Sequence, residues 1–263
     1  MILMWQRYNL FSIKTNIEKN ISKKSKSKKN ILSFLKKKKE IHTLETIYIA
    51  SMLSMVCGYV DAYTYITKDG IFAYAQTGNI IFLAMNLAKG KFYDAINCLF
   101  PILSFICGIW FAQFIKKITN EKHIIEWGYI ILLINTIILF MVGMFSRSFP
   151  NALMVSSVSF ISAVHMTTFN KVEGLSYVST MCTGNLRSAS EHLFDYLFRK
   201  NKNRKEEHIK SVKNGFIYLT IILFFTLGAY LGSLFTNKFG TKSVWIAAGV
   251  LMFVNSFMFF EEV

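Results

Sequence analysis

Two six-residue stretches decide how this chain is read: Ala75-Gln76-Thr77-Gly78-Asn79-Ile80 and Met181-Cys182-Thr183-Gly184-Asn185-Leu186. Each carries Thr-Gly-Asn between a boundary on its N-terminal side and an apolar, helix-compatible run on its C-terminal side. Three shared residues are weak evidence alone, but the surroundings repeat too. About a helix length before each copy lies a long apolar segment. After each lies another with a small-xxx-small pair, Gly108/Ala112 and Gly228/Gly232. The expectation is a two-fold internal repeat, with halves at about 45–146 and 149–260.

Composition sets the class. Hydrophobic residues make up 53% of the 263, with 25 Phe and two Pro, and several runs are too long and too apolar for soluble helices. This predicts an all-α, polytopic helical membrane protein. The apolar segments fall at about 45–66, 71–88, 93–115, 124–146, 149–169, 175–198, 214–236 and 243–260. Six of them can span a hydrocarbon core, which needs ~20 residues. The two Thr-Gly-Asn segments are shorter or more polar and read as short re-entrant or broken helices.

The net charge of +15 does not point to nucleic acid. The basic residues lie in tails and loops between apolar segments, as topology signals do. Residues 1–43 form a Lys-rich cytoplasmic tail, expected to be disordered around the Lys, Ser and Asn run 22–30. Its Ile31-Leu32-Ser33-Phe34-Leu35 followed by Lys36 to Lys39 suits anionic lipid. A solvated tail that only fixes orientation fits as well. Residues 44–263 form a single transmembrane domain.

With the tail cytoplasmic and both Thr-Gly-Asn segments re-entrant, Lys116, Lys117, Lys122 and the basic loop from Arg199 to Lys213 fall inside. Lys68, Lys89, Lys91, Arg147, Lys238 and Lys242 fall outside. Eight crossings would exchange Lys116, Lys117 and Lys122 with Lys89 and Lys91. The charge bias favours six crossings, with both termini cytoplasmic in a cell inner (plasma) membrane. Three crossings per half would invert the second half relative to the first. That is a recurring transporter architecture with its site near the midplane.

Candidate site residues follow. Thr77, Gly78, Asn79, Thr183, Gly184 and Asn185 suit a helix start inside a membrane: Gly permits close backbone approach, and Thr and Asn satisfy free N–H groups. Two such starts aimed at one cavity favour an anion or polar group. Plain helix breaks between packed helices are the competing reading. Asp61, a carboxylate in or at the end of a span, is a candidate for carrying a proton or cation. Its alternative is an interfacial residue ending the helix near Lys68 and Asp69. His165 takes the position of Tyr59 when the motifs are aligned and reads as a relay or a packing residue. Arg187 and Glu191, spaced i, i+4 with Asp195 continuing the row, line either a vestibule or a solvated helix face. Asn135 and Asn255 are expected to hydrogen-bond between helices. Cys57, Cys98, Cys107 and Cys182 read as buried small hydrophobes.

Gly58-Tyr59-Val60-Asp61-Ala62, followed by Ala75-Gln76-Thr77-Gly78-Asn79, resembles the YoaK-like family of small bacterial multi-pass inner-membrane proteins with no established function. The resemblance covers about 45–260. The second half departs from it. Val164-His165-Met166-Thr167 stands where members often have Gln-Asn-Ala, and Thr183-Gly184-Asn185 where they often have Thr-Gly-Thr. The resemblance implies a bacterial integral membrane protein and supplies no substrate.

Gly-rich phosphate loops, His-Glu-x-x-His and Gly-x-Ser-x-Gly are missing from the sequence, so no enzyme, cofactor or metal is expected. Two functions remain. One is a small-solute transporter or channel with a midplane site at the paired Thr-Gly-Asn breaks. The other is a membrane scaffold or sensor that uses its basic tail for lipid or partner contact. The expected partners are the bilayer, anionic lipid, an unknown small solute and a second copy in a homodimer.

Overall fold

The computed structural model describes residues 45–68, 70–118, 124–145, 150–198 and 205–262. The Lys-rich tail, Asp69, Lys122, Arg147 and the stretch 199–204 lie outside the described residues. Helices dominate: α1 (Ile47–Thr67), α2 (Gln76–Ala88), α3 (Phe92–Ile118), α4 (Ile124–Phe145), α5 (Asn151–Thr168), α6 (Cys182–Phe198), α7 (Lys205–Phe239) and α8 (Val244–Glu262). A two-residue β-hairpin, β1 (Lys171–Val172) and β2 (Leu175–Ser176), follows α5. Its turn, Glu173-Gly174, has positive φ at both residues, as a tight hairpin turn requires.

Among the described residues, three stretches are long and apolar enough to cross a membrane: Phe92–Ile118, Trp127–Phe145 and His208–Phe259. They carry the large side chains that face outward, such as Trp110, Phe114, Leu133, Phe140, Leu223 and Phe253. Helices α1 and α5 differ in kind. They are the innermost elements, and their buried faces include Ser51, Ser54, Asp61, Ser159, Ser162 and His165. A helix shielded by other helices has no lipid to satisfy, so it keeps polar groups that bond to its neighbours.

Small residues set the inner contacts. Helix α1 packs on α7 and α5 packs on α3. A Cβ at Gly228 would collide with Met55 O, and one at Gly232 would lie 2.6 Å from Tyr59 O. A Cβ at Gly108 would collide with Phe160 O. The small-xxx-small pairs therefore serve packing inside one chain, where they bring backbones together.

The bundle has two ends. At one, α1 finishes beside the start of α8: Tyr59 OH donates to Ser243 O at 2.8 Å and Tyr63 OH to Thr241 O at 3.0 Å. The end of α2 is there too, because Tyr65, Phe82, Asn86 and Asn97 line one cleft. At the other end α1 begins beside the hairpin, where Glu173 N donates to Glu45 O at 2.6 Å. The end of α6 is there, with Tyr196 against His208 of α7. Helices α2 and α6 thus each return to the end their connection came from.

Counted from the helix ends, the connections to Asn79 and Asn185 differ in length. Asn79 lies twelve residues after the last residue of α1, but Asn185 lies seventeen after the last residue of α5. The hairpin supplies the extra length. By contact with the facing glycines, Met55, against Gly228, corresponds to Phe160, against Gly108, which sets His165 one residue from the place of Tyr59.

Candidate functional site

Before each short helix the chain runs as a loop rather than a helix: 70–75 before α2 and 177–181 before α6. A loop buried in a bundle needs partners for its peptide groups. Asn79 and Asn185 provide them in the same way. Asn79 Nδ2 donates to Phe72 O at 2.7 Å and its Oδ1 accepts from Phe72 N at 3.0 Å. Asn185 Nδ2 donates to Val178 O at 2.7 Å and its Oδ1 accepts from Val178 N at 3.4 Å. Each side chain is a buried latch on the residue seven positions earlier. Asn79 makes one further bond, from Nδ2 to Gln76 Oε1.

Thr77, Thr183 and Gly184 are turned outward and exposed. Gly78 is small for a packing reason, since a Cβ there would meet the Phe72 ring at 2.6 Å. Of the six Thr-Gly-Asn residues, the two Asn hold the loops in shape and the remaining four do not converge on one cavity.

Asp61 is 5% exposed, six residues before the end of α1. It is therefore not an interfacial helix terminator. Its Oδ1 accepts from Tyr74 N at 2.8 Å, and the N–H groups of Ala75 and Ala73 lie in the same cradle. Thr64 Oγ1, one turn further along α1, accepts from Ala73 N at 3.2 Å. The first loop is thus held from one side by α1. From the other side Ser159 Oγ of α5 donates to Ala73 O at 2.8 Å, and Gln76 Nε2 donates to the same oxygen at 3.1 Å. Asn135 Nδ2 donates to Tyr74 OH at 3.3 Å, linking α4 to the loop.

The second loop approaches the same face of α1. Ser179 lies beside the Cys57 thiol, one turn from Asp61. Cys182, the first residue of α6, lies within electrostatic reach of Asp61. The carboxylate is thus bonded by the first loop and lies near the start of α6, which the second loop leads into. Sequence reading picked out Asp61 and the latches. It passed over Tyr74, Ser159 and Ser162, and it took Lys68, which is buried, as a loop charge. Serines three apart in an apolar run were the available signal for the α5 face.

The other candidates are placed as follows. His165 is fully buried, packs on Phe169 with ring centroids 5.0 Å apart, and among the described residues has no hydrogen bond at either ring nitrogen. Arg187 Nε and Glu191 Oε1 pair at 2.8 Å on an exposed face. Their bond holds the Arg187 guanidinium protonated still more firmly than usual. Cys57 and Cys98 are buried and Cys182 is half-buried, but Cys107 is exposed on α3, against the reading of four buried thiols.

Comparison with known proteins gives a consistent answer. No solved structure matches the chain. The chain is 25% identical over 205 residues to the UPF0700 transmembrane protein YoaK of Bacillus subtilis (strain 168), an alignment covering 75% of this chain and 87% of that protein. Residues 49–256, which hold both loops and Asp61, match the model of the family described as protein of unknown function, DUF1275. An all-α membrane protein with apolar outer helices, the chain belongs to the DUF1275 family.

Proposed function

We propose that the chain is a small-solute transporter or channel, with its site at the level where the two latched loops meet Asp61. The observation that carries this is the buried carboxylate itself. An acid at that depth costs several kcal/mol unless it is paired or hydrated, and such groups in membrane proteins mark proton and ion pathways. Asp61 has backbone donors from one loop and Cys182 from the other near it.

The reading includes an inverted repeat with six crossings, by α1, α3, α4, α5, α7 and α8. Several features support it. Helix α1 packs on α7 as α5 packs on α3. Helix α2 packs on α3 as α6 packs on α7, and α4 faces α8. The latches match, and the loop of each half leans on the first helix of the other: Ala73 on Ser159, Ser179 on Cys57. In this arrangement α2 and α6 are re-entrant, and irregular backbone at depth is tolerated because protein surrounds it. Lys116, Lys117, Lys210 and Lys213 gather at the Glu45 end, which orients that end and the C-terminus toward the cytoplasm of an inner membrane.

The test is a comparison of metabolite uptake into reconstituted vesicles with and without the protein, repeated with Asp61→Asn. At least one solute should accumulate only with the wild-type chain. Equal uptake profiles from correctly inserted protein would sink the reading.

A further inference from the structure

At the Lys68 end the helix termini leave a cleft of about 730 Å³. It lies between the ends of α1 and α2 and the starts of α3 and α5. Its volume falls in the range of small-molecule sites and far exceeds a bare metal ion. Six of its lining residues decide what fits: Tyr65, Asn86, Tyr93, Asp94, Asn97 and Asn151. Among the described residues, Asp94 is the one charged member of the lining. Lys68, buried below, is turned onto Asn151 Oδ1 at 3.3 Å and Met154 Sδ at 3.4 Å and does not line the cleft. Lys89 and Lys91 are exposed to solvent on the α2–α3 turn and do not line it either.

A carboxylate beside two phenol rings and amide oxygens is the chemistry that holds an ammonium group. The acid supplies charge, and the ring faces attract a cation within about 6 Å of their centroids. We propose that this cleft binds a small organic cation, an amine or quaternary ammonium compound, with Asp94 as counter-ion and Tyr65 and Tyr93 as its ring walls. The cleft is continuous with the first loop. Gly70 and Ile71 form part of its wall, and Tyr65 stacks on Phe72 with centroids 5.0 Å apart. From Ile71 to Tyr74, which bonds Asp61, is three residues, about 10 Å of chain. As the entrance to the Asp61 site, the cleft rests on the transport reading. As a binding site it stands by itself.

The experiment uses the full chain in dodecyl maltoside, with choline as probe and 3,3-dimethyl-1-butanol as its uncharged isostere. Choline should bind saturably and the isostere at least tenfold more weakly. Asp94→Asn should weaken choline at least tenfold. Tyr93→Leu, at an exposed position that tolerates substitution, should weaken choline severalfold and leave the melting temperature unchanged. Equal binding of choline and the isostere, no saturable choline binding by folded wild-type chain, or unchanged affinity in Asp94→Asn would each overturn the proposal. A vesicle experiment separates the two claims. Choline bound through Asp94 with no solute uptake through Asp61 removes the transport reading and keeps the cleft. Asp61-dependent uptake of some solute without choline binding does the reverse.

Discussion

At the scale of single residues, the loops depend on three side chains. Asp61→Asn keeps an oxygen for Tyr74 N and removes the charge. The variant should insert but melt lower, because its amide nitrogen meets the N–H groups of Ala73 and Ala75, while any proton- or cation-coupled uptake falls to background. Uptake unchanged in that variant would leave Asp61 as loop architecture only. Asn79→Ala and Asn185→Ala each strip a buried N–H and a buried C=O of their partner, at about 1–3 kcal/mol per orphaned group. Both should lower the melting temperature of the solubilised chain, Asn79→Ala somewhat more, because the two latches share their backbone bonds and Asn79 adds the one to Gln76. A large cost at one position and none at the other would deny the equivalence. The sequence announced these residues by chemistry: a carboxylate and two amides stand out in apolar runs. It could not show what the amides bond to. The distinction between a donor offered to a solute and a donor spent on Phe72 or Val178 exists only once the loop has folded back seven residues.

At the scale of elements, the inner helix contacts are set by backbone approach. Gly228→Ala would push a methyl group into Met55 O, so α1 and α7 must separate. A cost of about 1–3 kcal/mol is expected for such overpacking. A Cβ at Gly249 would meet nothing within 4 Å, and Gly249→Ala in mid-helix should be neutral or stabilising by up to about 1 kcal/mol. Thermal melts of the two variants make the comparison, and equal effects would remove the packing argument. Apolar run length located each of the eight helices among the described residues, because each buries a face or meets lipid along its length. Boundaries were missed where other forces ruled. Helix α7 begins at Lys205, nine residues before the apolar run at 214, since Lys205-Glu206-Glu207-His208 extends it as a polar helix. Helix α6 begins at Cys182 rather than near 175, because Tyr177 to Met181 form the latched loop. The hairpin at 171–176 is too short to give a strand pattern.

At the scale of the whole molecule, the arrangement makes a labelling prediction. Single cysteines at Lys117 and Lys210, in a background without the native four, should react with an impermeant reagent only from the cytoplasmic side. Cysteines at Lys91 and Lys238 should react only from outside. External reaction at Lys117 with internal reaction at Lys91 would mean eight crossings and end the inverted-repeat reading. The membrane class was legible from composition, and the likeness of the two latched loops from the Thr-Gly-Asn pair. The five-residue difference between the two connections was not, because nothing in the sequence marks where α5 stops and the hairpin takes over. That difference has a thermodynamic side. One end of the molecule is tied by Glu173 N to Glu45 O and by Tyr218 OH to Ser176 O at 2.7 Å, while the other end stands open as the cleft. The exposed Glu173–Lys213 pair adds little. The Lys68 end has two of its own, Tyr59 OH to Ser243 O and Tyr63 OH to Thr241 O, so at about 1 kcal/mol per bond the two ends balance. Within the transport reading, the resting protein is therefore hung like a balanced beam, with neither end fastened harder than the other. A solute needs only a small difference between its contacts with the two ends to tip it.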